Sequence, residues 1–182
     1  MTLAPTSLTK SLVNLALLAG REIMAIYATD FSARTKSDLT PVTEADEAAE
    51  RIILEGLARL DPQTPVISEE AAAAGRVPQV GASFYLVDPL DGTKEFVSRN
   101  GEFTVNIARI ENGVPVIGVV YAPAKGRIFW GDTTKGAAEG KIAADETITW
   151  KKLLVRPRSP DACSSRGLPI PRSKHTTRDV DW

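Results

Sequence analysis

The sequence YLVDPLDGTKEFV, at residues 85–97, joins an apolar run to two aspartates that stand three positions apart. Its apolar beginning is typical of a β-strand, and it ends at Asp88 before a proline that cannot donate to a sheet ladder. Asp91 follows, and Gly92 and Thr93 come directly after it. We therefore expect the strand to end just after Asp88, in a tight turn that brings two carboxylates together beside main-chain N–H groups.

Two more acidic segments lie upstream of this turn. The short apolar run VIS is followed by Glu69 and Glu70, and Asp46 stands in the first turn of a predicted helix. Like charges about 4 Å apart repel by about 4 kcal/mol at an effective dielectric of about 20, so a cluster of carboxylates must take up protons or cations. Oxygen ligands without His or Cys suit Mg²⁺, and paired ions of this kind can hold a phosphate ester and activate water. A D-x-x-D pattern on its own is more commonly a turn with a helix cap. Lys36, which lies upstream of Asp46, is on its own more commonly a surface lysine.

Two amphipathic helices are predicted before this turn. Apolar residues recur at steps of three and four over residues 6–29, and a second series runs over residues 45–60. Thr43 is the expected N-cap of the second helix, with Asp46 in the first turn, where negative charge suits the helix dipole. Pro62 follows and ends the second helix.

Short segments rich in Val, Ile, Phe and Tyr follow the helices. They predict strands at residues 66–68, 83–87, 103–111, 114–121 and 127–130. Asn112 and Gly113 predict a hairpin between two of these strands, because a tight primed turn needs positive φ. Helices followed by hairpin-linked strands predict an α+β fold, with two helices packed on one face of a largely antiparallel sheet.

Composition excludes several classes of protein. With 43% hydrophobic residues, 25% charged residues and a net charge of -1, the chain is neither disordered nor collagen-like, and no basic bias points to nucleic acid. A single cysteine, Cys163, excludes an internal disulfide and favours a reducing compartment. The sequence shows no signal peptide and no long uncharged apolar segment, so we expect a cytoplasmic protein without a membrane span.

The pattern of helices and strands weakens beyond about residue 157. Several prolines and no clear periodicity mark the remaining residues. We expect residues 1–157 to form a metal-binding domain, and residues 158–182 to form a connection and the truncated start of a second domain.

The segment DPLDGTKEF resembles the D-P-[IL]-D-G-T signature of the lithium-sensitive, Mg²⁺-dependent phosphatases of the inositol monophosphatase superfamily. Upstream, TKSDLTPVTEAD is similar to the lysine and V-T-x-A-D elements of that family, and ISEE to its G-E-E element with serine in place of glycine. The K-E-F after D-G-T and the segment NGEFTVNIARIENGVPVIGVVYAP resemble the 3'(2'),5'-bisphosphate nucleotidase branch, the CysQ type. The resemblance covers roughly residues 8–157 and implies the N-terminal domain of the αβαβα sugar phosphatase fold.

The resemblance implies a ligand set and roles for neighbouring residues. Four residues would bind the metal, the third through its main-chain carbonyl: Glu69, Asp88, Leu90 and Asp91. Asp46 and Thr93 would orient the attacking water. The amides of Gly92 and Thr93 would bind the phosphate, with Lys36 as a nearby positive charge.

The resemblance also implies about two or three Mg²⁺ ions, inhibition by Li⁺, and hydrolysis of adenosine 3',5'-bisphosphate, a by-product of sulfate assimilation, to AMP and phosphate. It implies a cytoplasmic location, with association at the inner face of the bacterial membrane as an option. An inositol or sugar monophosphatase is the first alternative, and the K-E-F segment counts against it. A catalytically silent domain that only binds metal or a partner is the second.

One departure from the family concerns its second domain. Family members carry a W-D-x-A motif there, whose aspartate completes the metal site, and the sequence shows no such motif before Trp182. We therefore expect this chain to be weakly active or inactive. We also expect an exposed inter-domain face that favours self-association.

Overall fold

The computed structural model describes residues 4–31, 33–35 and 41–154, and the side chains of these residues other than 33–35, 41 and 42. The described helices are α1 (Ser7–Tyr27), α2 (Glu44–Leu60), α3 (Glu69–Ala73) and α4 (Thr93–Val97), with a 3₁₀ turn at Pro123–Lys125. The described strands are β1 (Ala33–Thr35), β2 (Pro41–Thr43), β3 (Val66–Ser68), β4 (Ser83–Asp91), β5 (Thr104–Glu111), β6 (Val114–Ala122), β7 (Arg127–Asp132), β8 (Gly136–Ile142) and β9 (Ile148–Leu153).

One large sheet contains seven of these strands, in the order β3-β4-β5-β6-β7-β8-β9. β3 runs parallel to β4, and every other neighbouring pair in this sheet is antiparallel. Asn112 and Gly113 close the hairpin between β5 and β6 with φ of 51° and 76°, the left-handed values that a primed turn requires. β1 and β2 form a separate antiparallel pair.

α1 and α2 pack on each other and on the large sheet. Small residues on both helices lie fully inside the core, among them Ala16 of α1 and Ala49 of α2. At Gly20 the first helix crosses β6 so closely that a Cβ atom would lie 2.2 Å from Cε1 of Tyr121. Glycine therefore allows this close crossing, because a side chain there would force the ring of Tyr121 or the helix to move.

The second helix is fixed at both of its ends. At its start, Thr43 and Asp46 form a capping box. At its end, Asp61 accepts hydrogen bonds from Nη1 of Arg109 at 2.5 Å and from the hydroxyl of Tyr85 at 3.2 Å. This double attachment to the rest of the protein holds Asp46 in a defined place.

An aromatic cluster lies beneath α4. Phe96 of this short helix is fully buried, and its ring centroid lies 5.0 Å from that of Tyr27, 4.6 Å from that of Phe31 and 5.1 Å from that of Phe103. Tilted and edge-on contacts at such distances are favourable arrangements for aromatic rings. The cluster therefore fixes α4 against the end of α1.

The predicted α+β fold is confirmed, including both long helices, the five predicted strands, the N-cap at Thr43 and the hairpin at residues 112 and 113. The predicted end of a strand just after Asp88 is wrong, because β4 continues to Asp91. The register with β5 nevertheless shifts between Asp88 and Asp91. Pro89 thus interrupts the hydrogen-bonded ladder without ending the strand, so both carboxylates stand on an irregular strand end and not on a tight turn.

Four of the described strands were not predicted from the sequence: β1, β2, β8 and β9. β8 has the sequence GAAEGKI, which is poor in the β-branched and aromatic residues that favour strands. Its pairing with β7 on one side and β9 on the other sets its conformation. Tertiary context here outweighs local propensity.

Residues 155–182 lie outside the described residues. The predicted division of the chain at residue 157 and the surroundings of Cys163 therefore stay proposals. Among the helices of the described ranges, none combines the length and the apolar character needed to cross a membrane.

Candidate active site

Asp46 is the most buried carboxylate of the predicted site, with 1% of its surface exposed. Its Oδ2 atom accepts hydrogen bonds from the main-chain N–H and the hydroxyl of Thr43, both at 2.7 Å. Its Oδ1 atom accepts from the hydroxyl of Thr93 at 3.0 Å. Burial raises the pKa of Asp46, and the hydrogen bonds from Thr43 and Thr93 offset part of that rise. Asp46 thus links the start of α2 to the start of α4.

Thr93 and Gly92 form the entry to α4. The hydroxyl of Thr93 lies 3.2 Å from the main-chain oxygen of Leu90 as well as close to Asp46, so its single proton is shared between two acceptors. Gly92, the N-cap of α4, has φ of 93°, and a Cβ atom there would lie 2.8 Å from the main-chain oxygen of Glu102. Only glycine fits this position, because it needs both a left-handed backbone and empty space.

The parallel pairing of β3 and β4 brings Glu69 beside Asp88. Ser68, the last residue of β3, is paired with Val87, so the residues that follow these two in the chain, Glu69 and Asp88, come at the same edge of the sheet. Burial, followed by the negative charges of Asp91 and Glu69, raises the pKa of Asp88 from 3.8 to about 6. The charge of Glu69 therefore acts on Asp88 across the edge of the sheet.

Asp91 stands at the exposed end of β4, where its register partner on β5 is Thr104. Its Oδ2 atom accepts a hydrogen bond from Nδ2 of Asn106 at 3.1 Å. Oδ1 of Asn106 in turn lies 3.2 Å from the hydroxyl of Thr104. β5 therefore orients this carboxylate, a role that the sequence did not reveal.

The candidate donor atoms are all oxygens, as the predicted magnesium site requires. They come from the carboxylates of Glu69, Asp88 and Asp91 and from the carbonyl of Leu90, and this donor set fits a hard divalent cation. Within the described ranges, no three His, Cys, Asp or Glu side chains already stand close enough to enclose an ion. A bound Mg²⁺ would therefore also need the main-chain carbonyl, water and a closer approach of the carboxylates.

Glu50 is a further residue of this region that the sequence analysis did not single out. Its Oε1 atom accepts hydrogen bonds from the hydroxyl of Ser68 at 2.5 Å and from the main-chain N–H of Ala71 at 3.0 Å. The available signal was its position one helical turn after Asp46, on the same face of α2. Lys36, by contrast, was predicted from the sequence but lies outside the described residues.

The structure thus joins Asp46, Thr93 and the carbonyl of Leu90 by direct hydrogen bonds, and the charges of Asp91 and Glu69 act on Asp88. The family model for the inositol monophosphatase family matches residues 4–169. The chain belongs to the inositol monophosphatase family. The helices packed on a mixed sheet agree with the fold of this family.

Relatives within the inositol monophosphatase family include 3'(2'),5'-bisphosphate nucleotidase CysQ of Salmonella typhimurium, which is 50% identical over 148 residues, covering 80% of this chain and 58% of the relative. Two crystal structures have folds similar to that of this chain. CysQ from Bacteroides thetaiotaomicron has a TM-score of 0.63 at 34% identity, with 87% of this chain and 62% of that chain covered. The suhB protein from Bartonella henselae has a TM-score of 0.65 at 28% identity, with 72% of this chain and 51% of that chain covered. The chain therefore spans 58% of the length of the Salmonella relative.

Proposed function

We propose that this chain is part of a Mg²⁺-dependent phosphomonoesterase of the 3'(2'),5'-bisphosphate nucleotidase type, which hydrolyses adenosine 3',5'-bisphosphate to AMP and phosphate. The observation that carries the proposal is the hydrogen bond between Thr93 and Asp46 beside the carboxylates of Asp88 and Glu69. In this proposal, a buried proton acceptor and a hydroxyl lie next to the carboxylates that would bind the cation. The similarity to the CysQ relative supports the nucleotide as substrate.

Asp46 and Thr93 would orient the attacking water. While the hydroxyl of Thr93 donates its proton towards Asp46, its lone pairs can accept a hydrogen bond from a water molecule and hold it in one orientation. Because burial raises the pKa of Asp46, this carboxylate is a better proton acceptor than an exposed one. We therefore assign Asp46 the role of general base acting through Thr93.

Four groups would hold the metal: the carboxylates of Glu69, Asp88 and Asp91 and the carbonyl of Leu90. Bound Mg²⁺ would lower the pKa of a water molecule and neutralise charge on the phosphate. Two or three ions and inhibition by Li⁺ remain proposals that rest on the family resemblance. This chain would contribute several negative charges in one region. Burial first, and then the charges of Asp91 and Glu69, raise the pKa of Asp88 there.

The phosphate would lie against the start of α4. The main-chain amides of Gly92 and Thr93 are placed there by the left-handed backbone of Gly92. Lys36 would add a positive charge. Self-association, a cytoplasmic location and contact with the inner face of the membrane also stay proposals.

The experiment that tests the proposal is phosphate release from adenosine 3',5'-bisphosphate by the purified chain, with and without Mg²⁺. The decisive comparison is between conditions and between variants. Release should stop when EDTA removes the metal and should be absent in Asp46→Asn. Mg²⁺ binding without any release would favour the silent metal-binding alternative, and faster release from inositol monophosphate would favour the other alternative.

A further inference from the structure

We propose that Glu50 is a positioning residue that sets the place of Glu69 at the candidate metal site. The inference rests on the proposed function, because the place of Glu69 matters to the reaction only if this residue binds the metal. Within the described ranges, Glu50 makes its hydrogen bonds to Ser68 and Ala71 and none to Asp88 or Asp91. It acts through the segment that contains Glu69.

One oxygen atom of Glu50 accepts hydrogen bonds from two residues, one before Glu69 in the sequence and one after it. Ser68, which precedes Glu69, donates its hydroxyl to Oε1 of Glu50 at 2.5 Å. Ala71, which follows two positions later, donates its main-chain N–H to the same atom at 3.0 Å. The chain between these two donors cannot shift along α2 without breaking one of them.

Glu50 also replaces the usual cap of α3. Ser68 is the N-cap residue of this helix, yet its side chain makes no capping hydrogen bond to the helix. The carboxylate of Glu50 takes this place by accepting from Ala71, and its negative charge suits the start of a helix. A helix of only five residues has little stability of its own, so this outside acceptor stabilises the start of α3.

The position of Glu50 on α2 explains why it is suited to this role. Asp46 and Glu50 are four residues apart and therefore lie one above the other on one face of the helix. Asp46 contacts Thr93 at the start of α4, while Glu50 contacts Ser68 at the start of α3. α2, which is fixed at both ends, thus sets the position of Asp46 relative to the segment that contains Glu69.

The experiment compares Glu50→Ala, Glu50→Gln and the matched control Glu55→Ala. Glu55 belongs to the same helix but is exposed and pairs only loosely with Arg59, at 3.7 Å. Two quantities are measured for each protein: the Mg²⁺ dissociation constant by calorimetry, and the hydrogen-exchange rate of the Ala71 amide without metal. The second quantity does not depend on any bound ion.

We expect Glu50→Ala to weaken Mg²⁺ binding by about 10- to 100-fold, as is typical when a residue that orients a ligand is lost. The Ala71 amide should also exchange faster in this variant. Glu50→Gln should restore both quantities to within about threefold of the unmodified chain, because its amide oxygen can still accept from Ser68 and Ala71. Glu55→Ala should change neither.

Three results would overturn the inference. The first is an unchanged exchange rate of the Ala71 amide in Glu50→Ala. The second is an Mg²⁺ affinity of Glu50→Ala equal to that of Glu55→Ala. The third is a loss of Mg²⁺ affinity in Glu50→Gln as large as that in Glu50→Ala, which would indicate that the charge of Glu50 matters and not its geometry. If the unmodified chain binds no Mg²⁺, the proposed metal site fails and the role of Glu50 at it fails too. Faster exchange at Ala71 would then still show that Glu50 holds α3, so the two failures are distinguishable.

Discussion

The hydroxyl of Thr93 lies 3.0 Å from Oδ1 of Asp46, although the two residues are 47 positions apart. Replacing Thr93 by Val removes the hydroxyl with almost no change in shape. We expect kcat to fall by about 100-fold, in the range typical for loss of a proton-transfer partner, while Mg²⁺ affinity stays close to that of the unmodified chain. Phosphate release and calorimetry measure the two quantities.

Thr93→Ser is the matched control, because it keeps the hydroxyl and should keep most of the activity. An unchanged kcat in Thr93→Val would show that the hydroxyl does not orient the water. A loss of Mg²⁺ affinity in Thr93→Val would assign Thr93 to the metal site instead.

The second prediction concerns the metal ligands. Asp91→Asn removes one negative charge from the site while keeping the size of the side chain, so we expect Mg²⁺ affinity and metal-dependent activity to be lost. Asp145→Asn removes one charge from the exposed turn before β9 and should leave both unchanged. Calorimetry of the two variants provides the comparison, and equal affinities would refute the assignment of Asp91.

Gly92→Ala tests the backbone at the entry to α4. Both Gly92 and Gly113 have positive φ, but only Gly92 faces a main-chain oxygen, that of Glu102, at 2.8 Å from the position of a Cβ atom. Gly113→Ala should lower the free energy of unfolding by about 1–2 kcal/mol, the usual penalty of a left-handed residue. Gly92→Ala should lower it further, because a main-chain atom must also move. Urea unfolding of both variants measures the difference, and equal losses would contradict the close approach.

Arg99 is predicted to hold α4 against the end of α1. Its guanidinium donates to the main-chain oxygens of Tyr27 at 2.6 Å and Thr29 at 2.5 Å, and lies 4.8 Å from the ring centroid of Phe31. Arg99→Ala should lower the free energy of unfolding by about 1–2 kcal/mol through loss of these contacts. Arg59→Ala, on the exposed face of α2, should change it by less than about 0.5 kcal/mol. Similar values for both variants in urea unfolding would show that Arg99 is only a surface residue.

Asp132 gives a prediction for the pH dependence of stability. Burial raises the pKa of Asp132, but hydrogen bonds from Thr134, Thr9 and Thr6 outweigh it and hold the pKa below its usual value of 3.8. The charged form therefore stabilises the folded protein above pH 3.8, and this contribution is lost as the pH falls through the lower folded value. The difference in unfolding free energy between the unmodified chain and Asp132→Asn should shrink on acidification below pH 3.8. A constant difference across that range would contradict the assignment.

Much of the architecture could be predicted because apolar periodicity and turn residues specify it locally. The capping box of Thr43 and Asp46 is readable from the spacing of the two residues, and the hairpin at Asn112 from its neighbour Gly113. The strand β8 could not be predicted, because its small residues acquire a strand conformation only from β7 and β9.

The candidate site was only partly predictable for a similar reason. The acidic residues were recognisable, but the approach of Glu69 to Asp88 depends on the parallel pairing of β3 and β4, which no local pattern encodes. Glu50 reads in the sequence as an ordinary polar residue of an amphipathic helix. Its contacts with Ser68 and Ala71 depend on how α3 is placed against α2.

The central claim is that carboxylates from separate segments meet around a divalent cation. Anomalous diffraction from a crystal soaked in Mn²⁺, which takes the oxygen ligands of Mg²⁺, measures this most directly. The account predicts a peak about 2.0–2.3 Å from carboxylate oxygens of Asp88 and Asp91 and from the carbonyl of Leu90, with Glu69 turned towards it. An Mn²⁺-saturated crystal with no anomalous peak between Glu69 and Asp88, or with Mn²⁺ bound only elsewhere, would contradict the central claim.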